Sequence, residues 1–87
     1  LDVNEREDIM KNYRKLVNDV IYEVIGVEVD ENQHNLDLIE NGLMDSLSMV
    51  NMILLMEEKL GKRIDCSEFT NDDFRSFKAI ESLVQRV

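Results

Sequence analysis

Gly42-Leu43-Met44-Asp45-Ser46-Leu47-Ser48-Met49-Val50 is the stretch on which the fold turns, because it runs unbroken into an apolar segment closed by Leu60-Gly61. A small polar residue before an apolar run reads as a helix start, and a glycine just after it reads as a stop. The pattern predicts a helix over Ser46–Leu60 with Ser46 as its cap. Its apolar members are Leu47, Met49, Val50, Met52, Ile53, Leu54, Leu55, Met56 and Leu60. One face of a surface helix cannot hide so many. Two readings stay open: a central helix contacted on several sides, or a helix whose surplus Leu and Met meet a partner.

Working upstream, Asn4 and Glu7 match a capping box, and Ile9, Tyr13, Leu16, Val17, Val20 and Val24 follow at helical spacing before Gly26. A first helix over residues 4–25 is expected. Residues 27–45 form a long, acidic connection in which Leu36, Leu38, Ile39 and Leu43 should pack back onto the helices, with a short helical turn near residues 38–40. A loop of this length in a small chain is often functional. Downstream, Thr70-Asn71-Asp72-Asp73-Phe74 reads as a short capped helix. Ser76 caps a last helix through Arg86 with Phe77, Ile80, Leu83 and Val84 on one face. The expectation is an all-α, four-helix bundle with a long first loop and a short third helix. Residues 1–87 are read as one domain.

Composition narrows the function. Proline is absent and glycine occurs three times among 87 residues, which leaves long stretches free to be helical. The net charge is −9. Residues 1–45 carry twelve acids against four bases, and residues 46–87 carry seven against six. Nucleic acid is excluded as a partner, since binding it requires Lys and Arg to neutralise phosphates. The acidic surface serves either solubility or association with basic patches on other proteins. Cys66 is the single cysteine, so no internal disulfide forms and a reducing cytoplasm fits best; the chain is also expected to be a monomer. Cys66 itself reads as a small hydrophobe near a helix start. The longest apolar run, residues 52–56, is too short to span a membrane, and the N-terminus lacks the basic segment of a signal peptide. The chain opens at Leu1 and not at Met, which leaves room for native residues upstream.

Catalytic and metal chemistry find little support. His34 is the one histidine and reads as a solvated loop residue, and Gly-x-Ser-x-Gly is absent around Ser46. Asp30, Asn32 and His34 imitate half a calcium loop, but Asn35 stands where glycine is required and Asn41 where a bidentate Glu is required. The methionines at 44, 49, 52 and 56 suit a core, or a surface that meets several partners. Ser46 is different. A hydroxyl at a helix start faces unsatisfied N–H groups and the positive end of the helix dipole, where a covalent phosphate is tolerated. Read alone, it is first of all a structural cap, as serine before a helix is in most proteins.

Asp37-Leu38-Ile39-Glu40-Asn41-Gly42-Leu43-Met44-Asp45-Ser46-Leu47-Ser48-Met49-Val50 resembles the motif around the modified serine of the phosphopantetheine-binding carrier proteins. The likeness continues through Leu55, Glu57-Glu58, Ile64, Phe69, Phe74, Ile80 and Val84 in the expected order. The Gly-Leu-hydrophobic-Asp-Ser spacing, with Glu68-Phe69 and Phe74, is similar to stand-alone D-alanyl and other aminoacyl carriers. Fatty-acid carriers have acids where this chain has Ser48 and Asn51. The resemblance implies a protein that is not an enzyme. It implies 4'-phosphopantetheine on Ser46, attached by a holo-acyl-carrier synthase (a phosphopantetheinyl transferase) that uses coenzyme A and magnesium and recognises Asp45. It further implies an acyl or aminoacyl thioester loaded by an adenylating ligase or an acyltransferase. Leu47, Ser48, Met49, Leu54 and Glu57 are then the candidate docking residues. D-alanyl, other aminoacyl and secondary-metabolism roles stay open. So does the competing class, a small acidic helical interaction domain with Ser46 as an ordinary cap.

Overall fold

Helices form where apolar periodicity meets a start and a stop. A computed structural model, which describes residues 2–87, contains α1 (Val3–Ile25), α2 (Ser46–Leu60) and α3 (Phe77–Arg86). No strand occurs among the described residues. α1 begins earlier than residue 4: the cap is Asp2, whose carboxylate accepts the Glu5 N–H at 2.8 Å, so Asn4 and Glu7 lie inside the helix. A carboxylate at this position also complements the helix dipole. Gly26 ends α1 at φ +70°, its N–H bonded to Tyr22 O at 2.9 Å. Gly61 ends α2 in the same way at φ +67°. Both positions need the left-handed conformation that only glycine adopts without strain.

The three helices share one apolar core. α1 packs against both α2 and α3. Val17, Val20 and Ile21 of α1 meet Met52 and Met56 of α2 and Phe77, Ile80 and Leu83 of α3, all essentially inaccessible to solvent. No charged or polar residue is buried among those described. At about 1.5 Å per residue, α1 is roughly 34 Å long and α3 only about 15 Å. The first turns of α1 therefore outrun their neighbours. Ile9, expected in the apolar stripe, is 38% exposed for that reason.

Where a short third helix is expected, the chain makes a single 3-10 turn, Asn71–Phe74. Asp73 closes it by accepting the Thr70 N–H at 2.8 Å. Only Phe74 is buried. Three polar residues precede it and Ser76 starts α3 two residues later, so nothing drives further turns. Ser76 caps α3 as read, its hydroxyl accepting the Ala79 N–H at 3.1 Å. Phe77, Ile80, Leu83 and Val84 are buried as expected.

The long connection packs back through Leu38, which is wholly buried, and through Val29 and Met44. Leu36, Ile39 and Leu43 are half-buried against the same core. His34 is not simply solvated: its ring stacks on Phe77 at 3.8 Å between centroids. Its carbonyl also accepts the Lys78 N–H at 3.1 Å. Cys66 opens another 3-10 turn, Cys66–Glu68, and is exposed. Asp65 holds that turn by accepting the N–H and hydroxyl of Ser67, which leaves the Cys66 side chain outside the core.

Candidate functional site

Asp45, and not Ser46, caps α2. Its backbone is extended (φ −131°, ψ 179°) and its Oδ1 accepts the Ser48 N–H at 2.8 Å. The Ser48 backbone N–H, with the Ser48 hydroxyl beside it, holds the Asp45 carboxyl below the usual carboxylate range. A carboxyl with a depressed pKa stabilises the fold at neutral pH, and that contribution is lost as pH falls through its folded value.

With Asp45 as the cap, Ser46 is released from that role. As the first residue of α2, Ser46 is exposed, and its hydroxyl enters no hydrogen bond with the described residues. A capping serine has its oxygen committed to the backbone; this one does not. The carboxylate next to it does the capping, so the hydroxyl stands free at the positive end of α2.

The remaining candidates separate by burial. Leu47, Val50 and Leu54 are 70%, 51% and 58% exposed. Spaced by three and four residues, they form one outward stripe running from the Ser46 corner along α2. Ser48 is half-buried. Met49 faces the core with Met52, Ile53 and Met56, so it leaves the docking set. Glu57 is half-buried and its Oε2 accepts the Ile64 N–H at 2.9 Å, which ties the chain beyond Gly61 back onto α2. Beside the stripe, Val50, Ile53, Leu54, Glu57, Ile64 and Cys66 line a groove of about 110 Å³.

Val50 joins the stripe although sequence reasoning passed over it; its spacing from Leu47 and Leu54 carries the signal. Asp37 and Arg75 were also passed over. Arg75 Nη1 lies 2.9 Å from Asp37 Oδ2 across 38 residues of chain, a separation at which sequence spacing is silent. Among the described residues, no group of three His, Cys, Asp or Glu side chains could hold a metal ion. No described helix is long and apolar enough to cross a membrane.

A prosthetic arm needs an accessible hydroxyl, free of internal bonds, on a rigid element. Ser46 meets each requirement, so the residues present fit a covalent phosphopantetheine.

No model of a known protein family matches the chain. Curated relatives do. The chain is 30% identical over 78 residues to the D-alanyl carrier protein of Lactobacillus acidophilus, covering 90% of this chain and 92% of the relative. It is 31% identical over 62 residues to that of Listeria welshimeri, covering 71% and 80%. It is 28% identical over 74 residues to that of Lactobacillus delbrueckii subsp. bulgaricus, covering 85% and 91%.

Proposed function

The chain belongs to the D-alanyl carrier protein family, and from that premise we propose that Ser46 is the attachment point of a 4'-phosphopantetheine arm. A member of that family is a carrier and not an enzyme. The observation that carries the proposal is the division of labour at the start of α2: Asp45 caps, and Ser46 is left exposed with a free hydroxyl. When bound, the group supplies a thiol on a flexible arm to which an acyl or aminoacyl unit attaches. Ser46 contributes the hydroxyl oxygen of the linkage and holds it at a rigid helix end. Asp45, exposed and ionised, offers a holo-synthase an anion beside that oxygen, read through a cation or metal on the enzyme. An arm anchored there raises the effective concentration of cargo at each docked enzyme.

The experiment is intact mass after incubation of the whole chain with a broad-specificity holo-synthase, magnesium and coenzyme A. A gain of one phosphopantetheine is expected. An unchanged mass would favour the other class, a small acidic interaction domain.

Docking of an adenylating aminoacyl ligase is assigned to the stripe Leu47, Val50 and Leu54. Burying one apolar side chain gains about 1.5–3 kcal/mol, whereas an exposed ion pair contributes at most about 1 kcal/mol and is screened by salt. Leu54→Ala and Val50→Ala are therefore expected to raise the ligase's KM for the carrier by about tenfold, a loss of roughly 1.4 kcal/mol, with unchanged unfolding midpoints. Raising salt through the physiological range should change loading much less. Full loading of Leu54→Ala, combined with a steep loss in salt, would instead assign docking to charge.

A further inference from the structure

The loop that ends at Asp45 is oriented from outside by one residue, through its backbone carbonyl and its side chain. Residues 37–44 close on themselves: Asp37 Oδ1 accepts the N–H groups of Ile39 and Glu40 at 3.1 and 2.9 Å. The N–H groups of Leu43 and Met44 converge on Leu38 O at 2.9 and 3.1 Å. These bonds shape the turn but do not fix how it sits on the rest of the molecule. Leu38 and Met44 hold it down through apolar burial, which is not directional. Direction comes from Arg75. Its carbonyl accepts the Leu38 N–H at 2.7 Å. Its guanidinium bonds Asp37 Oδ2 through Nη1 and Asp72 Oδ1 through Nε, both at 2.9 Å. A planar fork shared by two carboxylates imposes an orientation that a point charge does not. Arg75 directly precedes Ser76, the cap of α3, so the turn is referenced to the most deeply packed helix.

We infer that Arg75 is a positioning residue for the modification of Ser46: by bridging Asp37 and Asp72 it sets the orientation in which the turn presents the Asp45–Ser46 corner to the transferase. This rests on the reading of Ser46 as the attachment site. In that reaction the Ser46 oxygen–phosphorus bond forms as the diphosphate of coenzyme A breaks. Adenosine bisphosphate leaves, and the hydroxyl proton passes to a base on the transferase. Arg75 touches none of these atoms. Without it, a smaller fraction of molecules presents the corner correctly, which raises the KM for the carrier and leaves kcat in place.

The test is steady-state transfer from coenzyme A onto the whole chain, comparing wild type, Arg75→Gln, Asp37→Asn and the double variant. Asp37→Asn keeps an oxygen for the Ile39 and Glu40 N–H groups and replaces the Oδ2 acceptor that faces Arg75 with an N–H donor, so the contact with Arg75 is lost. Each single variant should raise KM for the carrier about fivefold with kcat within about twofold, the scale of a partly exposed ion pair. The double variant should be no worse than Arg75→Gln alone, because that variant already lacks the Asp37–Arg75 contact. Arg75→Lys restores the charge without the fork and should recover part of the loss. Unfolding followed by circular dichroism establishes that each variant folds. If Arg75→Gln does not, Asp37→Asn against Arg75→Lys carries the same comparison. An unchanged KM overturns the inference, and so do effects that multiply in the double variant, which would place Arg75 in direct contact with the transferase. A wild-type chain that gains no mass overturns the reading of Ser46 as well.

Discussion

Ser46→Ala should take up no phosphopantetheine from coenzyme A and a holo-synthase, while Ser48→Ala should be converted as fully as the wild type. The two serines lie two residues apart on one helix, so their side chains project about 200° apart. Their surroundings differ more than their spacing does. Ser46 is exposed with an uncommitted hydroxyl; Ser48 is half-buried, and its N–H is bonded to the Asp45 carboxylate. Because Asp45 is the cap, Ser46→Ala leaves the helix start intact. Alanine is also the better helix former, so stability should move by no more than about 0.5 kcal/mol. Complete loss of modification in a chain of unaltered stability is the signature of a lost nucleophile. If Ser46 were the cap, the same variant would lose stability too. Modification that persists in Ser46→Ala would sink the assignment.

The sequence was most readable where a local rule acts alone. The bounds of α2 follow from Asp45-Ser46 before the apolar run and Gly61 after it, and the burial of Phe77, Ile80, Leu83 and Val84 follows from helical spacing. Which of two adjacent capping residues accepts the bond was not readable, because Asp and Ser are nearly equivalent at an N-cap. Asp45 takes the Ser48 N–H, and that one choice frees Ser46. The surplus of apolar residues in α2 was visible, and the structure divides it between two faces. Met49, Met52, Ile53 and Met56 face the core, while Leu47, Val50 and Leu54 face solvent. Sorting Met49 from Val50 needed the phase of the helix relative to its neighbours, which composition does not encode. The tie between Asp37 and Arg75 was invisible because it joins residues far apart in the chain. The same holds for the His34–Phe77 stack.

Ile80→Ala and Ile9→Ala should separate the working core from the part of α1 that outruns it. Both residues sit at apolar positions of helical stripes, so the sequence treats them alike. In the structure Ile80 is wholly buried in the core that the helices share, whereas Ile9 is 38% exposed. Truncating a fully buried Ile removes its transfer free energy and leaves a cavity, which together cost about 2–5 kcal/mol. A domain of this size has only about 5–15 kcal/mol in total, so Ile80→Ala should lower the melting temperature by at least about 8 °C. Ile9→Ala opens no enclosed cavity, and alanine's higher helix propensity offsets part of the lost contact, so its effect should stay within about 0.5–1 kcal/mol. The check is denaturant unfolding of both variants, with the slope against denaturant used to establish that the unfolded states are comparable. Equal losses would mean that the early turns of α1 are covered in solution by something other than α2 and α3. An unchanged midpoint for Ile80→Ala would show that the α1–α3 contact does not hold the core together.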